Sequence, residues 1–424
     1  MTEVPEKLLD PCCSDAHGDQ ALRLEEALET MLGQVRSVTG DETHSLRDAL
    51  GRVLSEDVAS AVDVPSHTNS AMDGYALCGE DLPDKGSVRL RVLGTAYAGR
   101  PFDGTVATGE CARIMTGAPM PAGADTVVIQ EHVTRDGDIA IITSGHRPGQ
   151  HVRQAGEDVL VGDVALRAGT VLQPAHLGLL ASVGAERVRV RRRPVVAFFS
   201  TGDELRNPGE ALGEGQIYDS NRLTIYGMLK RLEVDTLDLG VITDDREKIR
   251  LAFTEAADRA DAVITSGGVS VGEADFVTET LEAFGSVGFW KVAIKPGRPI
   301  AFGRVNGKLF FGLPGNPVSV MTTFYQLVQP IILRLCGIDS PGPVVHVRAV
   351  CQSRLRKKPG RVEFQRGVLR RETDGRYVVE TTGHQGAGVL SSMAEANCFI
   401  VLPLDGDTVM PGDEVDVQPF RGLI

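Results

Sequence analysis

The chain has 424 residues, with 44 Lys and Arg against 57 Asp and Glu, a formal charge of −13. That length holds about two to four domains of ordinary size, and 42% hydrophobic with 24% charged residues excludes a disordered chain. The acidic balance excludes a nucleic-acid scaffold, which needs clustered Lys and Arg, but leaves small anionic ligands open because they respond to the local field.

Residues 1–20 read as a frayed leader. Leu22, Leu24, Ala27, Leu28 and Met31 follow a helical stripe. From 56 to about 170, short apolar runs separated by Gly, Pro, Asp and Thr predict a small β-rich module. A helix over 171–184 ends at Gly184. The basic run from Arg187 to Pro194 alternates with Val, which predicts a solvated strand or linker face instead of an anion patch. After Pro194 the rhythm is strand–helix–strand. Strands are expected at 195–199, 237–242, 262–265, 291–294 and 309–313, with helices at 221–232, 249–256, 277–284 and 317–335. This alternation predicts a doubly wound, mainly parallel α/β sheet. Beyond Gly337 short alternating strands return, predicting a barrel or small sandwich.

No stretch approaches the ~20 apolar residues of a membrane helix, and the first twenty residues lack the basic and apolar regions of a signal peptide. The seven cysteines, at 12, 13, 78, 111, 336, 351 and 398, show no CxxC or His-paired metal spacing. Cys12 and Cys13 read as reduced bystander thiols. A cytoplasmic protein with no membrane or nucleic-acid partner is expected.

Ligands of an open parallel sheet bind beyond the C-terminal ends of its strands. Four small-residue loops fall there: Ser200-Thr201-Gly202-Asp203-Glu204, the run from Ser266 through Gly267, Gly268, Ser270 and Gly272 to Asp275, Lys295-Pro296-Gly297-Arg298-Pro299, and Gly312-Leu313-Pro314-Gly315-Asn316-Pro317. One Gly-Gly loop signals only a turn, but four on one edge suit phosphate oxygens approached by backbone N–H groups. Glu204, Asp275 and Asp244, with Lys295 and Arg298, match the hard oxygen ligands and cations of a magnesium–phosphate site. Taken singly, each acid is accounted for equally well as a helix cap or helix start. In the N-terminal module, the turn 69–76, the loop 113–121 and the segment from Arg153 to Asp158 are polar enough for substrate contacts.

Seven motifs together carry a specific resemblance: NSAMDGYA (69–76), RIMTGAPMPAGADTVVIQE (113–131), R-x-x-G-E-D from Arg153, STGDEL (200–205), SGGVSVGEADF (266–276), KPGRP (295–299) and GLPGNPVS (312–319). Ordered over about residues 20–420, they resemble the molybdopterin molybdenumtransferases, the MoeA family, similar to the E-domain of gephyrin. The resemblance implies insertion of molybdate into adenylylated molybdopterin with release of AMP, supported by Mg²⁺. It implies a homodimer of four-domain subunits. These are a discontinuous, elongated linker domain (21–60 and 151–190), an inserted β-rich domain (61–150), an α/β domain similar to molybdopterin adenylyltransferase (191–337) and a C-terminal β-barrel (338–424). The partner subunit's inserted domain would complete the cleft, and a molybdopterin adenylyltransferase and molybdoenzyme-maturation proteins are the implied partners.

Carried onto this sequence, the family's functional positions fall on Asp73, Thr116, Asp158, Glu204, Asp244, Asp275, Lys291, Lys295, Pro314, Pro317 and Arg366. Lys295 and Arg366 would offset the charge of molybdate, Glu204 and Asp275 would hold magnesium, and the Gly267-Gly268 and Gly315-Asn316 loops would cradle phosphates. Three positions depart from the family: His67-Thr68 precedes the first motif in place of Phe-Asp, Arg298 replaces a common Lys, and Ala387 replaces a common Ser. Ser391 and Ser392 are the nearby hydroxyls that would have to substitute. A non-catalytic gephyrin-like scaffold and a molybdopterin adenylyltransferase are the alternatives. The first helix begins within ~20 residues of the start, with no fused domain before it, which favours the enzyme.

Overall fold

The computed structural model describes residues 21–267, 285–338 and 344–420. Residues Asp41–Val190 form one compact unit; the described residues of Met1–Gly40 and Arg191–Ile424 form the other.

The 41–190 unit is built on a six-stranded sheet ordered Thr126–Ile129, Gly74–Leu77, Glu110–Ile114, Ser87–Ala96, Ile139–Thr143, Val133–Asp136. Alternation buries both faces: Tyr75, Leu77, Cys111 and Val128 join one cluster, and Ala76, Ile114 and Val127 another. Helix Pro174–Ser182 belongs to a third core with Leu54, Leu172, Val188 and Val190. In strand Arg187–Arg191, Val188 and Val190 point inward while Arg189 pairs outside with Asp41 and Glu56. The basic run is therefore a solvated strand face, as its alternation predicts.

In the other unit a six-stranded sheet runs Asp235–Ile242, Val195–Thr201, Ala262–Ser266, Lys308–Leu313, Pro299–Val305, Gly285–Lys291. The first four strands are parallel; the last two are antiparallel to their neighbours. Parallel strands are buried on both faces. Ala197, Phe199 and Val263 face helix Arg246–Arg259, while Val196, Phe198 and Ile264 share a core with helices Leu24–Gly33 and Ser220–Arg231. The expected strand at 291–294 is different. One strand ends at Lys291, and the two-residue strand Ile294–Lys295 leaves this sheet to pair in parallel with Val362–Glu363. The long helix expected over 317–335 forms, but residues 324–328 widen into a π turn. Pro330 explains it: proline has no N–H and its ring crowds the carbonyl four residues back, at Gln326. The helix expected over 277–284 lies outside the described residues.

Strands Val347–Cys351, Val362–Arg371, Tyr377–Thr381, Cys398–Leu402 and Glu414–Pro419 close a five-stranded barrel, because Val362–Arg371 pairs with both Tyr377–Thr381 and Cys398–Leu402. Cys351 and Cys398 are free and buried in its core. Burial pushes the Cys111, Cys336 and Cys398 thiols up to about 12, so none is a reactive thiolate.

Candidate active site

Register places the loops. Ser200, Ser266, Leu313, Ile300 and Trp290 lie in one row across the sheet. The next residues, Thr201, Gly267, Pro314, Pro299 and Lys291, therefore form a common rim. The strand ending at Lys291 shares this edge because two successive antiparallel pairings restore its direction. The sequence-predicted loops beginning at Ser200 and Gly312, the Pro299 end of the KPGRP loop and the described start of the loop from Ser266 share this rim.

The rim is polar and under-satisfied. Among the described residues, Ser200 Oγ, Thr201 Oγ1 and Thr265 Oγ1 are buried without a hydrogen-bond partner. A buried hydroxyl left unpaired costs about 1–3 kcal/mol. Gly267 has φ +88°, and a Cβ there would stand 2.8 Å from the Thr201 carbonyl oxygen, so only glycine fits. Gly267→Ala should lower stability by about 2 kcal/mol, measured by urea unfolding, through the left-handed backbone and this contact. Glu204 is exposed and folds its carboxylate back over Gly202, where a Cβ would lie 2.5 Å from Oε2. Asp244, also exposed, donates its backbone N–H to Asp203 Oδ1 at 3.1 Å, tying two rim loops together. Asp245 caps helix Arg246–Arg259 by accepting from Lys248 N. Asn221, on the first turn of helix Ser220–Arg231, donates to Ser266 Oγ at 2.8 Å and to the Gly315 carbonyl at 2.7 Å. The sequence showed Asn221 only as a helical residue, and its clamp on two rim loops comes from the fold. Gly268, Ser270, Gly272 and Asp275 lie outside the described residues.

A cavity of about 510 Å³ opens where the KPGRP loop meets the barrel, lined by Lys295, Pro296, Arg354, Arg356, Glu363–Arg366, Thr381, Gly383 and Gln385–Ala387. Pairing of Lys295 opposite Glu363 brings the two loops together. Lys295 Nζ lies 3.2 Å from Glu363 Oε2. Arg366 is 1% exposed. Its guanidinium donates to Ser392 Oγ at 3.0 Å and to the Gly386 carbonyl at 2.9 Å, and among the described residues it has no carboxylate partner. Burial pushes it down to about 10, so it stays charged at neutral pH. Gln385 fixes the arginine's backbone, accepting from Arg366 N and donating to Arg366 O. A buried cation without an anion is the signature of a site waiting for one.

Ser392 does not replace the missing hydroxyl of Ala387. It accepts from Arg366, donates to the Val389 carbonyl, and is not part of the cavity wall; Ser391 is exposed. Ala387 acts through its backbone: its carbonyl accepts from Val318 N, in the first turn of helix Pro317–Thr323. Gly297 packs against Thr323 of the same helix. Phosphate-type rim and cationic cavity thus flank one helix start that carries Pro314, Gly315, Asn316 and Pro317.

Three predicted residues belong to the other unit. Asp73 Oδ1 accepts from Thr116 N at 2.7 Å and Thr116 Oγ1 at 2.8 Å, which holds its carboxyl below the usual range. Asp158 is exposed, and its backbone N–H donates to the Val64 carbonyl. The neighbouring segments meet, since Val152 and Arg153 pair with Ser70 and Asn69.

Among the described residues no group of three or more His, Cys, Asp and Glu is placed to hold a metal ion. Glu204, an exposed carboxylate folded over Gly202, is an oxygen donor of the chemical kind that a hard cation takes.

The family model for the MoeA N-terminal region (domain I and II) matches residues 22–184, that for a probable molybdopterin binding domain residues 197–334, and that for the MoeA C-terminal region (domain IV) residues 348–420. The chain belongs to the MoeA family. A molybdopterin molybdenumtransferase of Haemophilus influenzae is 45% identical over 95% of this chain and 100% of its own length. Another, from Nostoc sp., is 36% identical over 87% of this chain and 86% of its own. The crystal structure of the molybdopterin biosynthesis moeA protein from Pyrococcus horikoshii OT3 matches with a TM-score of 0.82 at 30% identity, covering 95% of this chain and 100% of that one. Both cations at the cavity's inner wall lie on barrel-paired strands: Lys295 on the two-residue strand that leaves the α/β sheet, and Arg366 on Val362–Arg371.

Proposed function

We infer that this MoeA protein inserts molybdate into adenylylated molybdopterin, releasing AMP. One observation carries this reading: Arg366, buried and charged without a counter-ion, at the base of a cationic cavity beside a phosphate-type rim. Molybdate is a tetrahedral dianion suited to the Arg366 guanidinium and Lys295 ammonium, which point charge and hydrogen bonds at its oxygens. The rim would take the phosphates: Ser200, Thr201 and Asn221 supply polar groups, and glycines at 202, 267 and 315 let the backbone approach closely. Lys291 at the same rim adds positive charge. Magnesium, when bound, would neutralise charge developing on the departing phosphate; Glu204, with Asp275 and Asp244, would hold it.

We further propose that the protein acts as a homodimer in the cytoplasm, with Asp73, Thr116 and Asp158 contributed to each cleft from the second copy. Size-exclusion chromatography with light scattering should give twice the chain mass. Mixing an Asp73→Ala variant with a Glu204→Gln variant should restore part of the activity that each lacks.

The decisive assay incubates purified protein with adenylylated molybdopterin, Mg²⁺ and molybdate. AMP release that requires molybdate is expected. No release would overturn the reading in favour of a scaffold, and ATP consumption with bare molybdopterin would indicate an adenylyltransferase.

A further inference from the structure

Two arginines at the cavity mouth have no part in the activity described so far. Burial alternates along residues 354–357: Leu355, bridged to Val409, and Lys357 are buried, 1% and 6% exposed, while Arg354 and Arg356 are exposed. Side chains alternate along such a segment. Arg354 and Arg356 therefore emerge together on the opposite face, where both line the cavity. Both are exposed, whereas Arg366 is sealed at the base.

Neither guanidinium has a carboxylate partner among the described residues. Elsewhere on the same barrel Arg348 holds Glu414 and Asp416, Arg370 holds Glu380, and Arg376 holds Asp374, each within 3.2 Å. The single acid in the cavity wall, Glu363, is already paired with Lys295. Space agrees with charge. On the measure of this 510 Å³ cavity a water takes about 10–15 Å³, so the four oxygens of an anion on Arg366 use about 40–60 Å³ and leave most of it free. A chain of charge −13 repels dianions at long range, so capture depends on a local positive field.

We propose that Arg354 and Arg356 form an outer capture subsite for tetrahedral oxyanion dianions, from which the anion passes inward to Arg366. This rests on the molybdate reading of the cavity. The subsite sets the rate and affinity of oxyanion entry and takes no part in the chemical step.

The test uses the full chain with Arg354 and Arg356 both changed to Gln, alongside a double Lys variant. Molybdate binding is followed by calorimetry and steady-state KM at about 0.02 M and 0.5 M salt. The Gln pair should raise the molybdate KM roughly tenfold at low salt and about twofold at high salt, with kcat kept, because screening removes steering. The Lys pair should recover most of the loss, since it keeps the charge. Unchanged KM and salt dependence, a fall in kcat at constant KM, or a Lys pair as defective as the Gln pair would each overturn the proposal. An Arg366→Met control separates the two levels. If it loses molybdate while the Gln pair is unaffected, only the outer subsite is wrong. If the unmodified protein binds no molybdate, the underlying reading fails and this one with it.

Discussion

Arg366→Met is expected to abolish molybdate binding without unfolding the protein. The arginine is fully buried, donates to Ser392 and to the Gly386 carbonyl, and meets no carboxylate among the described residues. Burial pushes its guanidinium well below the usual arginine range, down to about 10. The sign follows: the folded state holds this proton less tightly than the unfolded state. The protein without its anion therefore carries a penalty of about 3 kcal/mol throughout neutral pH, relieved only as pH rises through about 10. Met fills similar space without charge. Removing a buried, unpaired ion offsets the lost hydrogen bonds, so the melting temperature should stay within about 3 °C or rise. Binding behaves oppositely. Loss of a buried charge that faces an anion removes about 3–5 kcal/mol, roughly a few hundred- to a few thousand-fold in affinity. Calorimetric titration with molybdate and a thermal melt on the same sample check both halves. Native affinity in the Met variant would show that the anion sits elsewhere.

The second large effect is expected at Glu204. Its carboxylate is exposed and folded over Gly202, in the same loop as Ser200 and Thr201, whose hydroxyls have no hydrogen-bond partner among the described residues. Glu204→Gln keeps the shape and removes the charge. Molybdate-dependent AMP release should fall at least about 100-fold, the usual scale for removing one preorganised electrostatic group. Stability should change by no more than about 0.5 kcal/mol, as for other exposed sites. Magnesium affinity in the presence of AMP, read by calorimetry, should fall in parallel. Near-native turnover would remove Glu204 from the magnesium site.

Much of this architecture is legible in the chain because local chemistry repeats it. The apolar run Val195–Phe199 followed by a glycine turn, Asp245 capping the next helix, and the Val–Arg alternation at 187–191 each say locally what the fold then does. Other features are tertiary. Nothing local marks Ile294–Lys295 as a strand of the barrel, because two residues carry no period; their partners, Val362–Glu363, lie nearly seventy residues away. The rim loop from Ser266 shows the opposite case. Its sequence is among the most distinctive in the chain, yet Gly268–Asp275 lie outside the described residues.

The sequence by itself determined the family, the doubly wound sheet, and the loops at its rim, because glycine spacing and hydrophobic period are written residue by residue. Only the tertiary structure decided what those loops surround. Arg354, Arg356 and Arg366 read as ordinary charges along a β-rich tail, and Asn221 as one polar residue of a helix. Closure of the barrel against the KPGRP loop seals one arginine from water and leaves two at the opening. The electrostatic meaning of a cation depends on its dielectric surroundings and its neighbours, and both are fixed by contacts between residues far apart in the chain.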